Sequence, residues 1–247
     1  MSRPEVLVHA DQDDLAGAVA ARLVSAVAAA QAERGDASIV LTGGGVGTAV
    51  LAALGAAPAR ESIDWRRVDV WWGDERFLPS GDAERNETGA REALLDRVDL
   101  DPARVHAMPA SDGPDGDDVE AAAARYAAEL AAAVGGSGPV PAFDVLMLGV
   151  GPDAHVASLF PGMPALEEGR PVVAVRGAPK PPPIRISLTF PALHAAREVW
   201  VLASGESKAG AVRLGLAGTG TSEAPVAGAR GRERTLFLLD RAAASEL

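Results

Sequence analysis

At 247 residues, 48% hydrophobic and 23% charged, the chain is long enough for a full hydrophobic core and has the make-up of a soluble globular protein. A net charge of −11 argues against non-specific nucleic-acid binding, which needs clustered Lys and Arg, but leaves room for a local anion site in a cleft. The absence of cysteine excludes disulfides, thiolate catalysis and Cys-ligated zinc, and fits a reducing compartment.

The first strand is expected at Val6-Leu7-Val8, and the N-terminus turns acidic too soon to be a signal peptide. Asp11 is placed to cap a long helix running to about Arg34, with Leu15, Val19, Leu23 and Val27 on one face and Gly35 as its stop. Ser38 to Leu41 reads as a second strand, leading into Thr42-Gly43-Gly44-Gly45 and a helix from about Thr48. The low-charge stretch from Ser38 to Ala59 is interrupted by glycines and a proline, so no membrane span is expected there. Val68 to Trp72 is a third strand, followed by a polar loop and a helix over roughly Glu87 to Arg97. Val105 lies near a short fourth strand, and an Ala-rich helix with Tyr126 and Leu130 sits between two loose segments, Ser111-to-Asp118 and Gly135-to-Pro141.

The run from Phe143 to Gly162, FDVLMLGVGPDAHVASLFPG, carries the most information. Its apolar start reads as a strand buried on both faces. Gly149, Gly151 and Pro152 then break the chain and deliver Asp153 and His155 beyond the strand's carboxyl end, where open parallel sheets bind ligands. Strands at Pro171–Val175 and Ile184–Leu188 flank the rigid Pro179-Lys180-Pro181-Pro182-Pro183 connection. A strand at Glu198–Ala203, a helix from Gly205 to about Leu216 and a strand at Thr235–Leu239 complete one α/β domain spanning 1–247.

Several groups could carry chemistry. Glycines 43–45 at a strand-to-helix turn can present backbone N–H groups to an anion, although tight packing explains them equally well. Arg76, in Trp72-Gly73-Asp74-Glu75-Arg76, can fork onto a phosphate. For Asn86 the simplest role is a helix N-cap, and for Arg185 a strand-edge charge. Lys208 is one of only two lysines, and its place near a helix N-terminus runs against the helix dipole unless an anion binds there. His9 and His106 read as structural and His194 is ambiguous; no histidine spacing makes a metal site.

Taken in order, the TGGG turn, WWGDERFLP with Asn86, the FDVLMLGVGPDAHVASLFPG block, APKPPPIRISLTFPAL and SGESKA resemble the 6-phosphogluconolactonase family over nearly the whole chain. The resemblance implies a single Rossmann-like α/β domain with a mostly parallel sheet flanked by helices. It implies a hydrolase of 6-phosphoglucono-1,5-lactone in the oxidative pentose phosphate pathway, acting without cofactor or metal on a small phosphorylated sugar lactone. A cytoplasmic location is expected from the acidic N-terminus and the interrupted apolar stretches. No nucleic-acid or membrane partner is expected, and the oligomeric state is not readable. His155 would be the catalytic acid–base, oriented by Asp153. Arg76, Lys208 and glycines 43–45 would hold the phosphate, with Asp74, Asn86 and Arg185 in the substrate-binding set. Ala154 stands where the family usually has glycine, Ala178 replaces a common serine and His194 a common asparagine. Two alternatives share the fold: a sugar-phosphate isomerase or deaminase, and a non-catalytic sugar-phosphate sensor.

Overall fold

A computed structural model describes residues 3–135 and 138–247. Of the predicted loose segment Gly135-to-Pro141, residues 136 and 137 lie outside the described residues. β1 (Glu5–His9) leads into α1 (Gln12–Arg34), whose first turn is capped by the Asp11 carboxylate accepting the Asp14 N–H at 2.9 Å. β2 (Ala37–Leu41), α2 (Gly44–Ala56), β3 (Val68–Trp72), β4 (Asp74–Arg76), α3 (Asn86–Ala93) and α4 (Val119–Ala133) follow. The second half contains β5 (Val145–Gly149), β6 (Val172–Val175), β7 (Arg185–Leu188), the short α5 (Phe190–Leu193), β8 (Glu198–Ala203), α6 (Ala209–Leu216) and β9 (Arg234–Asp240).

The main sheet has six strands in the order β1-β9-β8-β5-β2-β3, and every pairing in it is parallel. Its central strands β5 and β8 are buried almost throughout, as expected of a parallel sheet covered on both faces. By length and composition α1 could cross a membrane, yet it packs on α2, β1, β2 and β9 with Leu15, Val19, Leu23 and Val27 buried. At the edge strand β3, Trp71 stacks on His106 with ring centroids 3.7 Å apart. The His106 imidazole bonds to Asp69 and Glu129, which together outweigh the opposing effect of burial and hold it above its ordinary range. His106 is structural, as expected.

Several expected boundaries move. The helix after β2 begins at Gly44, not Thr48, so Gly44 and Gly45 lie in its first turn. The segment expected around Val105 makes a single bridge to Val70 and no strand. The helix predicted to Arg97 ends at Ala93 and gives way to a tighter turn over Leu95–Arg97. The largest correction concerns the charged triplet after β3. Asp74, Glu75 and Arg76 form β4, not a polar loop, and pair antiparallel with β7, which also pairs with β6 in a separate three-stranded sheet. A charged triplet looks solvated in sequence because the groups that neutralise it lie elsewhere in the chain.

Candidate active site

The chain steps outward from β2 to β3, then returns to the other side of β2 to lay down β5. Strand order therefore reverses between β2 and β5, and ligands bind parallel sheets at such a reversal, beyond the strand carboxyl ends. Gly149, at the end of β5, donates its N–H to Thr42 Oγ1 at 3.1 Å, tying the two strand ends together. A cavity of about 390 Å³ opens above them, within the usual range for small-molecule sites.

One wall is the turn after β5. Gly151 N–H donates to His155 O at 3.0 Å and Ala154 N–H to Gly151 O at 2.9 Å, folding the segment back so that the imidazole lines the cavity. The turn needs a left-handed residue, and Ala154 supplies it at φ +66° while fully buried. An alanine held in that conformation is strained. Ala154→Gly should stabilise the protein by about 1 kcal/mol, raising Tm by roughly 2–4 °C. An unchanged or lower Tm in calorimetry would show that the strain is absorbed elsewhere.

His155 Nδ1 lies 2.5 Å from Asp153 Oδ1. The carboxylate accepts the Nδ1 proton, which leaves Nε2 as the basic nitrogen. Burial pushes the imidazole below its ordinary range and Lys180 adds to that, with Asp153 opposing. Burial also works against the Asp153 carboxylate, but the His155 hydrogen bond and the charges of His155 and Lys180 hold it below the usual range. His155 is thus neutral and oriented near pH 7. Phe160 backs the ring at 4.5 Å between centroids, and the Arg185 guanidinium lies 5.7 Å from the centroid of that same Phe160 ring.

The remaining walls attract anions. Arg76, Lys180, Arg185 and Lys208 line the cavity, against Asp74 as the lining carboxylate. This is a cationic cleft in an acidic chain, so the local field and not the net charge governs the ligand. The first turn of α2 also faces it, and Gly43 at its N-cap position offers no side chain to satisfy the free N–H groups. Lys208 has no ion-pair partner among the described residues, and burial, then Lys180, lower its pKa. Arg76 donates from Nη1 to Glu84 O while its Nε is buried with no hydrogen-bond partner among the described residues. Among the described residues no group of His, Asp or Glu is arranged to hold a metal ion.

A buried polar network fixes the floor. Asp74 accepts from Ser158 Oγ at 2.7 Å, and its Oδ2 lies 4.0 Å from Arg185 Nη1. Asn86 Nδ2 donates to Asp74 O at 2.8 Å. Glu75 accepts the backbone N–H groups of Asn86 and Glu87 at 2.6 and 2.9 Å, capping α3 from outside the helix. Burial pushes its carboxyl up to about 7, opposed by Arg85 and those N–H groups. Asn86 packs so closely on Gly43 that a Cβ there would meet Asn86 Oδ1 at 1.8 Å. Glycine at 43 is a packing requirement.

Residues 10–238 match the family described as glucosamine-6-phosphate isomerases/6-phosphogluconolactonase. A Streptomyces coelicolor 6-phosphogluconolactonase is 64% identical over 99% of this chain and 95% of its own length. The Mycobacterium tuberculosis 6-phosphogluconolactonase is 51% identical over 97% of both chains. The chain belongs to the 6-phosphogluconolactonase family. Its fold matches the solved structure of the 6-phosphogluconolactonase from Trypanosoma brucei with a TM-score of 0.83, at 31% identity and with both chains fully covered.

All the site residues expected from this family resemblance except Asp153 line the one cavity: His155, glycines 43–45, Asp74, Arg76, Asn86, Arg185 and Lys208. Asp153 stands behind His155 as its hydrogen-bond partner. Two simple roles are corrected. Asn86 is not the N-cap of α3: it is the helix's first residue, and the Glu75 carboxylate does the capping. Arg185 is no strand-edge charge, because β7 is the middle strand of its sheet and Arg185 is buried. Its guanidinium donates to the carbonyls of Lys180, Pro181 and Pro182 and so holds the proline strip against the cavity. Sequence reasoning missed Lys180, Ser158 and Gln12, the last bonded through Ser204 at the cavity rim. The one available signal was Lys180 itself, a rare lysine fixed in a run of prolines. His194 bonds Gly228 O from Nε2 at 2.8 Å, a structural role.

Proposed function

We infer that residues 1–247 act as one unit that hydrolyses 6-phosphoglucono-1,5-lactone to 6-phosphogluconate, the hydrolytic step of the oxidative pentose phosphate pathway. The observation that carries this reading is a neutral, carboxylate-oriented histidine in a cavity whose other walls are cationic. An activated ester needs a poised water, a base for its proton and an acid for the departing ring oxygen. His155 Nε2 takes the proton as water adds to the lactone carbonyl, and returns it to the ring oxygen as the C1–O bond breaks. Asp153 keeps the imidazole in the tautomer that makes Nε2 the base and stabilises the imidazolium formed in between.

The 6-phosphate supplies binding energy at a distance from C1 and holds the ring in register. Arg76, Lys208 and the α2 N-terminus are its ligands in this reading, with Arg185, Asn86 and Asp74 shaping the sugar pocket. A cytoplasmic location accompanies it, in keeping with a chain free of cysteine. The test is hydrolysis of lactone generated in situ, followed as acid release above the spontaneous rate. Wild-type protein should accelerate it, and R76A and K208A should each narrow the preference for phosphorylated over non-phosphorylated lactone by roughly 10-fold or more. No acceleration by the wild type rejects the activity; full preference in both variants puts the phosphate elsewhere.

A further inference from the structure

Asp153 Oδ1 is shared. It receives the His155 Nδ1 hydrogen at 2.5 Å and also lies 3.5 Å from Lys180 Nζ. The Lys180 backbone is held in the proline strip by Arg185, but its side chain is 45% exposed, against 34% for Asp153 and 10% for Asp74. Of the charged groups that act on His155, namely Asp153, Lys180 and Asp74, Lys180 is therefore the one with room to swing. Lys208 lines the same cavity as Lys180, near enough for the two ammonium groups to repel.

We propose that Lys180 is a positioning residue that couples phosphate recognition to the strength of the catalytic base: a phosphate between Lys180 and Lys208 draws the Lys180 ammonium off Asp153 Oδ1, leaving that oxygen to His155 alone. A dianion there removes the repulsion between the two lysines and outcompetes a single carboxylate oxygen for Lys180. His155 then loses a nearby positive charge and keeps the whole of its carboxylate partner, so Nε2 becomes a better proton acceptor. A lactone without phosphate leaves Lys180 on Asp153 and meets a weaker base. The phosphate therefore raises kcat as well as affinity, binding energy at one end of the substrate being used at the other.

This inference rests on the lactonase reading of the cavity, and two measurements separate the two. Histidine NMR of the whole protein would follow the His155 titration in wild type and K180Q, with and without inorganic phosphate. K180Q alone should raise the midpoint, and phosphate should raise it in wild type by clearly more than in K180Q. Equal midpoints without phosphate, or equal phosphate increments, overturn the coupling whatever the enzyme's activity. In kinetics, the acid limb of wild-type kcat, which reports the bound enzyme, should lie above that of kcat/KM, which reports the free enzyme. K180Q should narrow that gap and reduce the kcat preference for phosphorylated lactone by roughly 3- to 10-fold. An active wild type whose pH profiles are unchanged in K180Q overturns the coupling and leaves the lactonase reading intact. An inactive wild type rejects that reading, and the NMR comparison still decides whether Lys180 and phosphate act on His155.

Discussion

Replacing His155 by alanine is expected to lower kcat for lactone hydrolysis by roughly 10²–10⁴-fold, the contribution of a positioned general acid–base. KM should move far less, because the proposed phosphate ligands Arg76 and Lys208 are unchanged by the substitution. The wild-type pH profile belongs to the same expectation. The base works only when neutral, and activity is lost as pH falls through its pKa. Burial and Lys180 hold the imidazole below its ordinary range, so the acid limb of kcat/KM should lie below pH 6.5, the value of an unperturbed imidazole. An exposed histidine would already be mostly protonated there. Near-normal kcat in H155A removes His155 from the mechanism; a limb at or above 6.5 contradicts the burial argument alone.

The second large effect is expected where no functional group is changed. A Cβ at Gly151 would sit 2.0 Å from His155 Nδ1 and 2.2 Å from Asp153 Oδ1, inside any tolerable contact. Gly151 is not among the residues with positive φ, so alanine fits its backbone. The clash falls on the two side-chain ends, which can swing away, and folding should survive. Catalysis should not, since a misplacement of about 1 Å can cost 10²-fold. Gly151→Ala should therefore reduce kcat by roughly 10²-fold with a Tm close to that of wild type. Wild-type kcat would show that the Asp153–His155 geometry is not needed. A collapse in Tm would move the effect from the site to the fold.

How readily each part of the site could be read depends on the range of the forces that build it. The β5 strand and its turn were legible because a strand buried on both faces writes itself as an unbroken apolar run, and because Asp153 and His155 meet across two residues of one turn. The glycines at 43–45 were visible as a turn but ambiguous in purpose. Only the contact of Gly43 with Asn86, from a different element, shows why a side chain is excluded there. The triplet Asp74-Glu75-Arg76 misled for the opposite reason. Three charges in a row imply solvent unless partners are supplied, and here they come from Ser158, Asn86, Arg85 and β7. Ala154 marked a question that sequence could pose and only a backbone angle could answer.

Residue order alone determined the alternation of strands and helices and the break after Gly149, because hydrophobic periodicity, capping and turn chemistry act between neighbours in the chain. The family and its mostly parallel sheet were implied by the resemblance of its motifs. Tertiary structure decided which charges are buried, that Glu75 rather than Asn86 caps α3, and that Arg185 lies inside a sheet. It also decided that Lys180, 27 residues beyond Asp153, shares its carboxylate oxygen with His155. The physical reason is that a charge or a polar side chain takes its role from the groups facing it at 3–4 Å, and in a folded domain those come from distant parts of the chain.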